Sequence, residues 1–353
     1  MEAKRLIKKA YYTWRTEGTG KLLKKTLRYL SKKRTACPEY QNLQLVHIAG
    51  CADSLCQKEA FDLALRLPFG FETPQHSLRL AATVHIFYPD LADDIMHALQ
   101  NVPGNIDVFV STDTDEKKQQ IVQAFTKFTQ GNVTVKVFPN RGRDIAPAFV
   151  GFANIYESYD ACVHFHSKKS PHDADKLAGW RDYLYHNILG SKEIVSDILH
   201  ILATTDVGLV FPQHFYPLRE SINWGQDYEA ARKFLLECGI SINNHHLLEF
   251  PAGSMFWFKP KAVRPLLQRK LSFENFPTEG GQIDGTIAHA IERSFLYMAE
   301  SEGFKWAKIN SQTNATGNTP IVDVMMPEDL TSAITKVWQP VMKQYESTLW
   351  TQR

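Results

Sequence analysis

The sequence predicts an α/β fold, a mostly parallel sheet flanked by helices, on three observations. From about residue 80 onward, short runs rich in Val, Ile, Phe and Thr alternate with stretches of roughly 10–15 residues at helical spacing, the mark of βαβ units. Pro, Gly, Asn and Asp gather at the junctions between them, where turns are needed. The chain has 353 residues, 44% of them hydrophobic and 22% charged, which is enough for a large core and excludes collagen-like, disordered and disulfide-scaffold classes.

Taken in order, residues 1–35 read as a basic amphipathic helical leader. Leu6, Ile7, Ala10, Tyr11 and Trp14 recur at helical spacing, as do Leu22, Leu23, Thr26, Leu27 and Leu30 after Gly18 and Gly20. Residues 1–34 hold twelve Lys/Arg against Glu2 and Glu17, a net of +10, so the other residues carry −8 of the total of +2. Such a leader suits an anionic membrane surface. Its apolar stripes could equally pack on the body, and the acidic body argues against nucleic acid. Residues 36–80 read as a linker or accessory segment, with a strand at 44–49, a short helix at 59–67 and a Pro/Gly-rich stretch at 68–75.

Strands are then expected at 82–88, 106–111, 133–138 and 161–166, with helices at 91–100, 116–128 and 144–158 between them. Further on, helices are expected at 179–189 and 193–203, a buried strand at 207–211, a long loop at 212–226 and a helix at 228–238. A strand at 254–258, a short helix at 261–267 and a long helix at 284–300 complete the domain, assigned to 81–310, and 311–353 is a partly helical tail. The five Cys (37, 51, 56, 162 and 238) form no CxxC pair, so reduced thiols are expected. No apolar run reaches the roughly 18 residues of a membrane span. The expectation is a soluble cytoplasmic protein, peripheral at the inner face of the plasma membrane through its leader.

In mostly parallel sheets ligands bind beyond the carboxyl ends of the strands, which selects residues 88–90, 111–113, 140–144 and 166–172. There is no GxGxxG and no GxxxxGK[ST], so a dinucleotide fingerprint and a P-loop are both absent. His164 and His166, two apart on one strand, share a face and are formally a metal pair. His245 and His246, being adjacent, are not.

The segments VHIFYPDL, FPNRGRDIAPAFVG, YDACVHFHSKKSPH, GWRDYLYHNILGS, FPAGSMFWFKPKAVRPL and GQIDGTIAHAIERSF resemble the rhamnan synthesis protein F family, in family order over about residues 82–300. The resemblance implies a glycosyltransferase of bacterial surface-polysaccharide assembly (rhamnan, O-antigen or capsule), with a rhamnose donor such as dTDP-rhamnose. A looser resemblance, in layout rather than letters, is to the GT-A glycosyltransferases, which makes the expected fold GT-A-like (Rossmann-like). In that layout the first two strands cradle the nucleotide, a DxD follows a later strand, and an acidic residue starts a helix near the acceptor.

Glycosyl transfer needs a base for the acceptor hydroxyl, and Asp284, before Gly285 at the start of a helix, is the candidate, with Glu279 second. Helix capping is the competing reading of Asp284. Where a DxD might sit the chain reads His164-Phe165-His166-Ser167-Lys168-Lys169, which has no carboxylates for Mg²⁺. The expectation is therefore neutralisation of the departing diphosphate by Arg141, Arg143, His166, Lys168 and Lys169, with no cofactor, although a divalent metal is left open.

By position, Tyr88, Asp90, Thr112 and Asp113 fall where a nucleotide is held, with a plain turn as the alternative for Asp113. Asp144 could orient the arginines, bind a sugar hydroxyl or cap a helix. His172, Trp180, Asn223, Trp224, Ser254, Trp257 and Gln282 are candidate sugar or acceptor contacts, core packing being the alternative for each Trp. The partners expected are a nucleotide-diphosphate sugar and a glycan or lipid-linked glycan. A non-catalytic glycan- or nucleotide-binding assembly factor is the alternative class.

Overall fold

A computed structural model describes residues 62–167, 177–242, 248–280, 284–311 and 321–339, all within the compact unit 53–353. The leader, the strand expected at 44–49, and the site candidates Lys168, Lys169, His172 and Gln282 lie outside the described residues.

Among the described residues nine strands form one sheet: β1 (Ala64–Arg66), β2 (Leu80–His85), β3 (Ile106–Thr112), β4 (Val133–Val137), β5 (Ala161–His166), β6 (Val207–Pro212), β7 (Phe256–Phe258), β8 (Lys305–Asn310) and β9 (Ile321–Val322). Their order is β4-β3-β2-β5-β7-β6-β8-β1-β9, parallel throughout except that β7 runs antiparallel to both neighbours. Helices among the described residues include α1 (Ala92–Leu99), α2 (Asp115–Ala124), α3 (Trp180–Leu189), α4 (Lys192–Thr204), α5 (Tyr228–Glu237), α6 (Arg264–Gln268), α7 (Ile287–Glu292) and α8 (Phe295–Ser301), and residues 330–339 are also helical. The α/β class, with a mostly parallel sheet, is the one the sequence predicts.

The period of two along each strand divides the sheet into two unlike faces. Leu80, Ala82 and Val84 of β2 and Ala161, Val163 and Phe165 of β5 enter a large aliphatic core with Ile95 and Met96 of α1, Leu184 and Ile188 of α3, and Ile198 and Leu202 of α4. The alternate residues Thr83, His85, His164 and His166 face the other way. There Phe149 packs edge-on to His164 (centroids 5.4 Å apart), and Phe256 lies 4.8 Å from Phe295 of α8. Because β7 is antiparallel, its entry loop 251–255 arrives at the end of the sheet where β5 leaves it. That end therefore collects loops from both chain directions.

Several expectations are corrected. The helix expected over 59–67 is strand β1 at Ala64–Arg66, because Ala64 and Leu65 are fully buried between β8 and β9. The helix expected over 144–158 is irregular: residues 145–146 are α-helical and run into a π-helical turn at Pro147–Gly151, followed by a 3₁₀ segment at Ala153–Ser158. The single helix expected over 284–300 is two, α7 and α8, broken at Arg293-Ser294 where the Ser294 hydroxyl donates back to Ala290 O at 2.6 Å. β8 and β9, which no strand pattern announced, complete the sheet.

Candidate functional site

Two polar clusters stand at the carboxyl end of the parallel strands. The first is built on Asp144. Gly142 (φ +69°) and Arg143 (φ +55°) turn the chain sharply after β4, and a Cβ at Gly142 would press on Phe276 and Ala146, so only glycine fits there. The turn drives Asp144 inward, 7% exposed, where its Oδ2 meets His164 Nε2 at 3.0 Å and its Oδ1 lies 3.9 Å from His166 Nε2. Burial would raise the Asp144 pKa; the charges of His166, His164 and His85, with the His164 hydrogen bond, outweigh it and hold the carboxyl below the usual range. Beside it burial pushes His85 down to about 4, with Nδ1 against Ser111 Oγ at 3.0 Å. His166 Nε2 donates to Gly253 O at 2.9 Å, which ties β5 to the loop before β7.

The second cluster is built on Asp284. Thr286, not Asp284, caps α7, through a capping box with His289, and Gly285 (φ +84°) separates the aspartate from the helix. The capping reading of Asp284 is thereby corrected. Its Oδ2 accepts from Gln226 N–H at 3.3 Å and its Oδ1 lies 3.3 Å from Arg293 Nη2. A Cβ at Gly225 would collide with this carboxylate, so the loop 223–227 reaches it only through glycine. Asp227, fully buried, pairs with Arg293 Nη1 at 2.8 Å and accepts from Gly285 N–H at 3.1 Å.

Burial and the neighbouring Asp284 push Asp227 up, to about 8, against the pull of Arg293. Burial also acts to raise Asp284, but its hydrogen bond with Asp227 and the charge of Arg293 hold it low. The two carboxylates titrate as a pair, burial favouring the proton on Asp227 and the charge on Asp284, whose side chain is 30% exposed.

His289 joins the two clusters. It is 6% exposed, and the charges of Arg143, Asp284, Arg293 and Asp144 all act on it. Burial pushes it down to about 4, so it is neutral near pH 7. One oxygen each of Asp227 and Asp284 and a ring nitrogen of His289 lie within 4.8 Å of one another, a spacing that a divalent cation can span. The Arg293 guanidinium already stands against both carboxylates and supplies the positive charge there.

Of the remaining candidates, Arg141 donates to Phe276 O at 3.2 Å and bridges to Thr278, while Arg143 Nε lies 3.8 Å from Glu279 Oε2. Both arginines thus border the same stretch as Glu279. Ser254, buried and at φ +52°, is a strained non-glycine residue in the loop that Glu292 also grips, Oε1 accepting from Gly253 N–H at 2.8 Å. Trp180 lies over Gly253. Asn223 accepts from Gly225 N–H at 2.9 Å and, through its carbonyl, from Arg293 Nε at 3.1 Å.

At the ends of β2 and β3, Ser167 Oγ accepts from the Phe87 and Tyr88 N–H groups and Asp113 pairs with Lys117 at 2.6 Å. Thr112 is buried and Asp90 exposed. Two aromatic candidates are corrected to core residues. Trp257 is fully buried with its indole donating to Ile188 O at 2.9 Å, and Trp224 is buried, stacked on Tyr297. Sequence reasoning missed Asp227, His289, Glu292 and Arg293. Only the clustering of His and Arg after IDG hinted at three of them.

Set against solved structures, the chain is similar to the crystal structure of 4-diphosphocytidyl-2C-methyl-D-erythritol synthase at 10% identity and a TM-score of 0.31, over 74% of this chain and 100% of that one. Among curated proteins, the uncharacterized protein WxcX of Xanthomonas campestris pv. campestris strain B100 is 32% identical over 243 residues, and that of strain ATCC 33913 is 33% identical over 244. Each match covers 67% of this chain and 33% of the relative, so the chain spans about a third of the length of these relatives. Residues 66–304, which hold both polar clusters, match rhamnan synthesis protein F, and the chain belongs to that family.

Proposed function

We propose that the chain transfers a glycosyl unit from a nucleotide-diphosphate sugar to a glycan acceptor during surface-polysaccharide synthesis. The family membership supports the polysaccharide role. The observation that carries the transfer reading is Asp284, a partly exposed carboxylate released from helix capping and braced by Gln226 N–H and Arg293.

In this reading Asp284 accepts the proton of the acceptor hydroxyl as that oxygen attacks the anomeric carbon and the bond to the diphosphate breaks. Asp227 and Arg293 hold the carboxylate in place. The leaving diphosphate is met by Arg141 and Arg143, which border the turn after β4, with His166, Lys168 and Lys169 from the stretch after β5. Tyr88, Asp90, Thr112 and Asp113, at the ends of β2 and β3, hold the nucleotide. Directly after β5 the chain reads Ser167-Lys168-Lys169, with Asp173-Ala174-Asp175 following a few residues on, and His164 of β5 is already bonded to Asp144. The donor is dTDP-rhamnose or a related sugar nucleotide, and the acceptor is a growing, lipid-linked glycan.

The test is nucleoside-diphosphate release from a panel of sugar nucleotides, dTDP-rhamnose included, with a polysaccharide acceptor. Asp284→Asn is expected to cut turnover by roughly a hundredfold or more, the usual range for a lost general base, while donor binding persists. Undiminished turnover removes Asp284 from the reaction, and binding without release by the unaltered protein identifies a non-catalytic assembly factor. Turnover is expected to persist in EDTA. Loss restored by Mg²⁺ or Mn²⁺ overturns the side-chain neutralisation of the diphosphate.

A further inference from the structure

His289 has a ring nitrogen that the fold does not use. Thr286 directs both its backbone N–H (3.4 Å) and its hydroxyl (2.9 Å) at Nδ1, while the same hydroxyl oxygen accepts from the His289 backbone N–H in the capping box. Nδ1 is therefore the acceptor nitrogen, and the proton of the neutral ring sits on Nε2. That Nε2 is buried and has no hydrogen-bond partner. Buried donors in folded proteins are nearly always satisfied, because an unmet one is costly, so an orphan in a polar site marks a place kept for a ligand atom.

The surroundings narrow the ligand. The Asp144 and Asp284 carboxylates and the Arg143 and Arg293 guanidiniums act on the ring together. The two carboxylates and two guanidiniums balance in charge, so the surroundings favour a neutral group that both accepts and donates over a phosphate dianion. A hydroxyl fits better: its oxygen accepts from Nε2–H and its proton goes to a carboxylate.

We propose that His289 donates from Nε2 to a hydroxyl of the transferred sugar and so discriminates among donors, an inference that rests on the glycosyl-transfer reading above. The capping of α7 fixes the tautomer, the break after α7 leaves Arg293 beside it, and an Asp284 oxygen lies within 4.8 Å of a ring nitrogen. A site built to bond a hydroxyl rejects analogues that lack it far more strongly than an apolar pocket does, because the polar groups are then left unpaired.

The experiment is calorimetric titration of the full chain with dTDP-rhamnose, dTDP-glucose, UDP-glucose, UDP-galactose and GDP-mannose, each beside its free diphosphate dTDP, UDP or GDP. The proteins compared are the unaltered chain, His289→Leu and His289→Gln, whose amide N–H can replace Nε2–H. For the sugar nucleotide that binds the unaltered chain, His289→Leu is expected to weaken binding by about tenfold, the scale of one hydrogen bond. Binding of the matching diphosphate should be unchanged, and His289→Gln should recover part of the loss. Equal loss for the diphosphate, or no loss at all, overturns the role of His289 and leaves the transfer reading standing. Mn²⁺ binding that His289→Leu abolishes also overturns it, since Nε2 would then be a metal ligand. Failure of every sugar nucleotide and diphosphate to bind the unaltered chain overturns both.

Discussion

Asp144 and Asp227 are both buried carboxylates at one end of one sheet, yet their environments drive them in opposite directions. Asp144 is held ionised by three histidines, so its stabilising effect is present above the ordinary carboxylate pKa and fades only as the medium becomes acidic enough to protonate it. Asp227 is the reverse. Its folded pKa lies above its unfolded one, so between the two values the folded chain binds the extra proton and stability falls as pH rises towards about 8. Asp227→Asn, which keeps the shape and removes the titration, should flatten that slope. Urea unfolding midpoints measured from pH 5 to 9 read it directly, and a slope unchanged in the variant would place the proton elsewhere. What was legible at this scale follows the same logic. Asp144 and Asp284 stand out because Gly and Pro beside a carboxylate announce a turn at a strand end or helix start. Asp227 reaches Gly285 across 58 residues, and no local pattern encodes such a contact.

At the scale of elements, the antiparallel β7 and the loop before it bring the two clusters within reach. Gly253 is gripped from both sides, its N–H by Glu292 and its carbonyl by His166, at φ +92°. A Cβ there would stand 3.0 Å from both Trp180 Cζ2 and Leu184 Cδ1, in a backbone region that costs an L-residue roughly 1–2 kcal/mol. Gly253→Ala should therefore lower stability by about 1–3 kcal/mol, the strain added to the crowding, which chemical denaturation measures. An unaffected midpoint would mean that the loop shifts freely, and its hold on His166 would count for little. Elements with clean periodicity, β2 to β5 and α1 to α5, were readable to within a few residues. β8 was not, because its pattern is broken by Lys308, a fully buried cation that bonds Asp62 at 2.9 Å and Glu249 at 2.8 Å. A charged letter in a strand interior reads as exposure unless its partners, 246 and 59 residues away, are known. β1 was lost for another reason: three residues are too few to show a period.

For the whole molecule the dominant feature is the segregation of charge, +10 in residues 1–34 against −8 in the rest. No helix among the described residues is long and apolar enough to cross a membrane. Each Lys or Arg close to an anionic bilayer contributes about 1 kcal/mol, and the effect decays within a Debye length of about 10 Å at 0.1 M salt. Twelve such residues among Trp14, Tyr11 and the leucines would combine charge with interfacial anchors, whereas the acidic remainder would be repelled. A lipid-linked acceptor is confined to that surface, so binding there would raise the encounter rate without any change in the chemistry. The chain should sediment with phosphatidylglycerol-containing vesicles at low salt, leave them as NaCl is raised, and ignore phosphatidylcholine vesicles. Replacing Lys4, Arg5, Lys8 and Lys9 by Glu should abolish sedimentation and leave nucleoside-diphosphate release from a soluble acceptor unchanged. If the substituted chain still sediments, the leader is not the contact. If release falls in step with binding even on the soluble acceptor, the leader contributes to the reaction itself and the separation of targeting from catalysis is wrong.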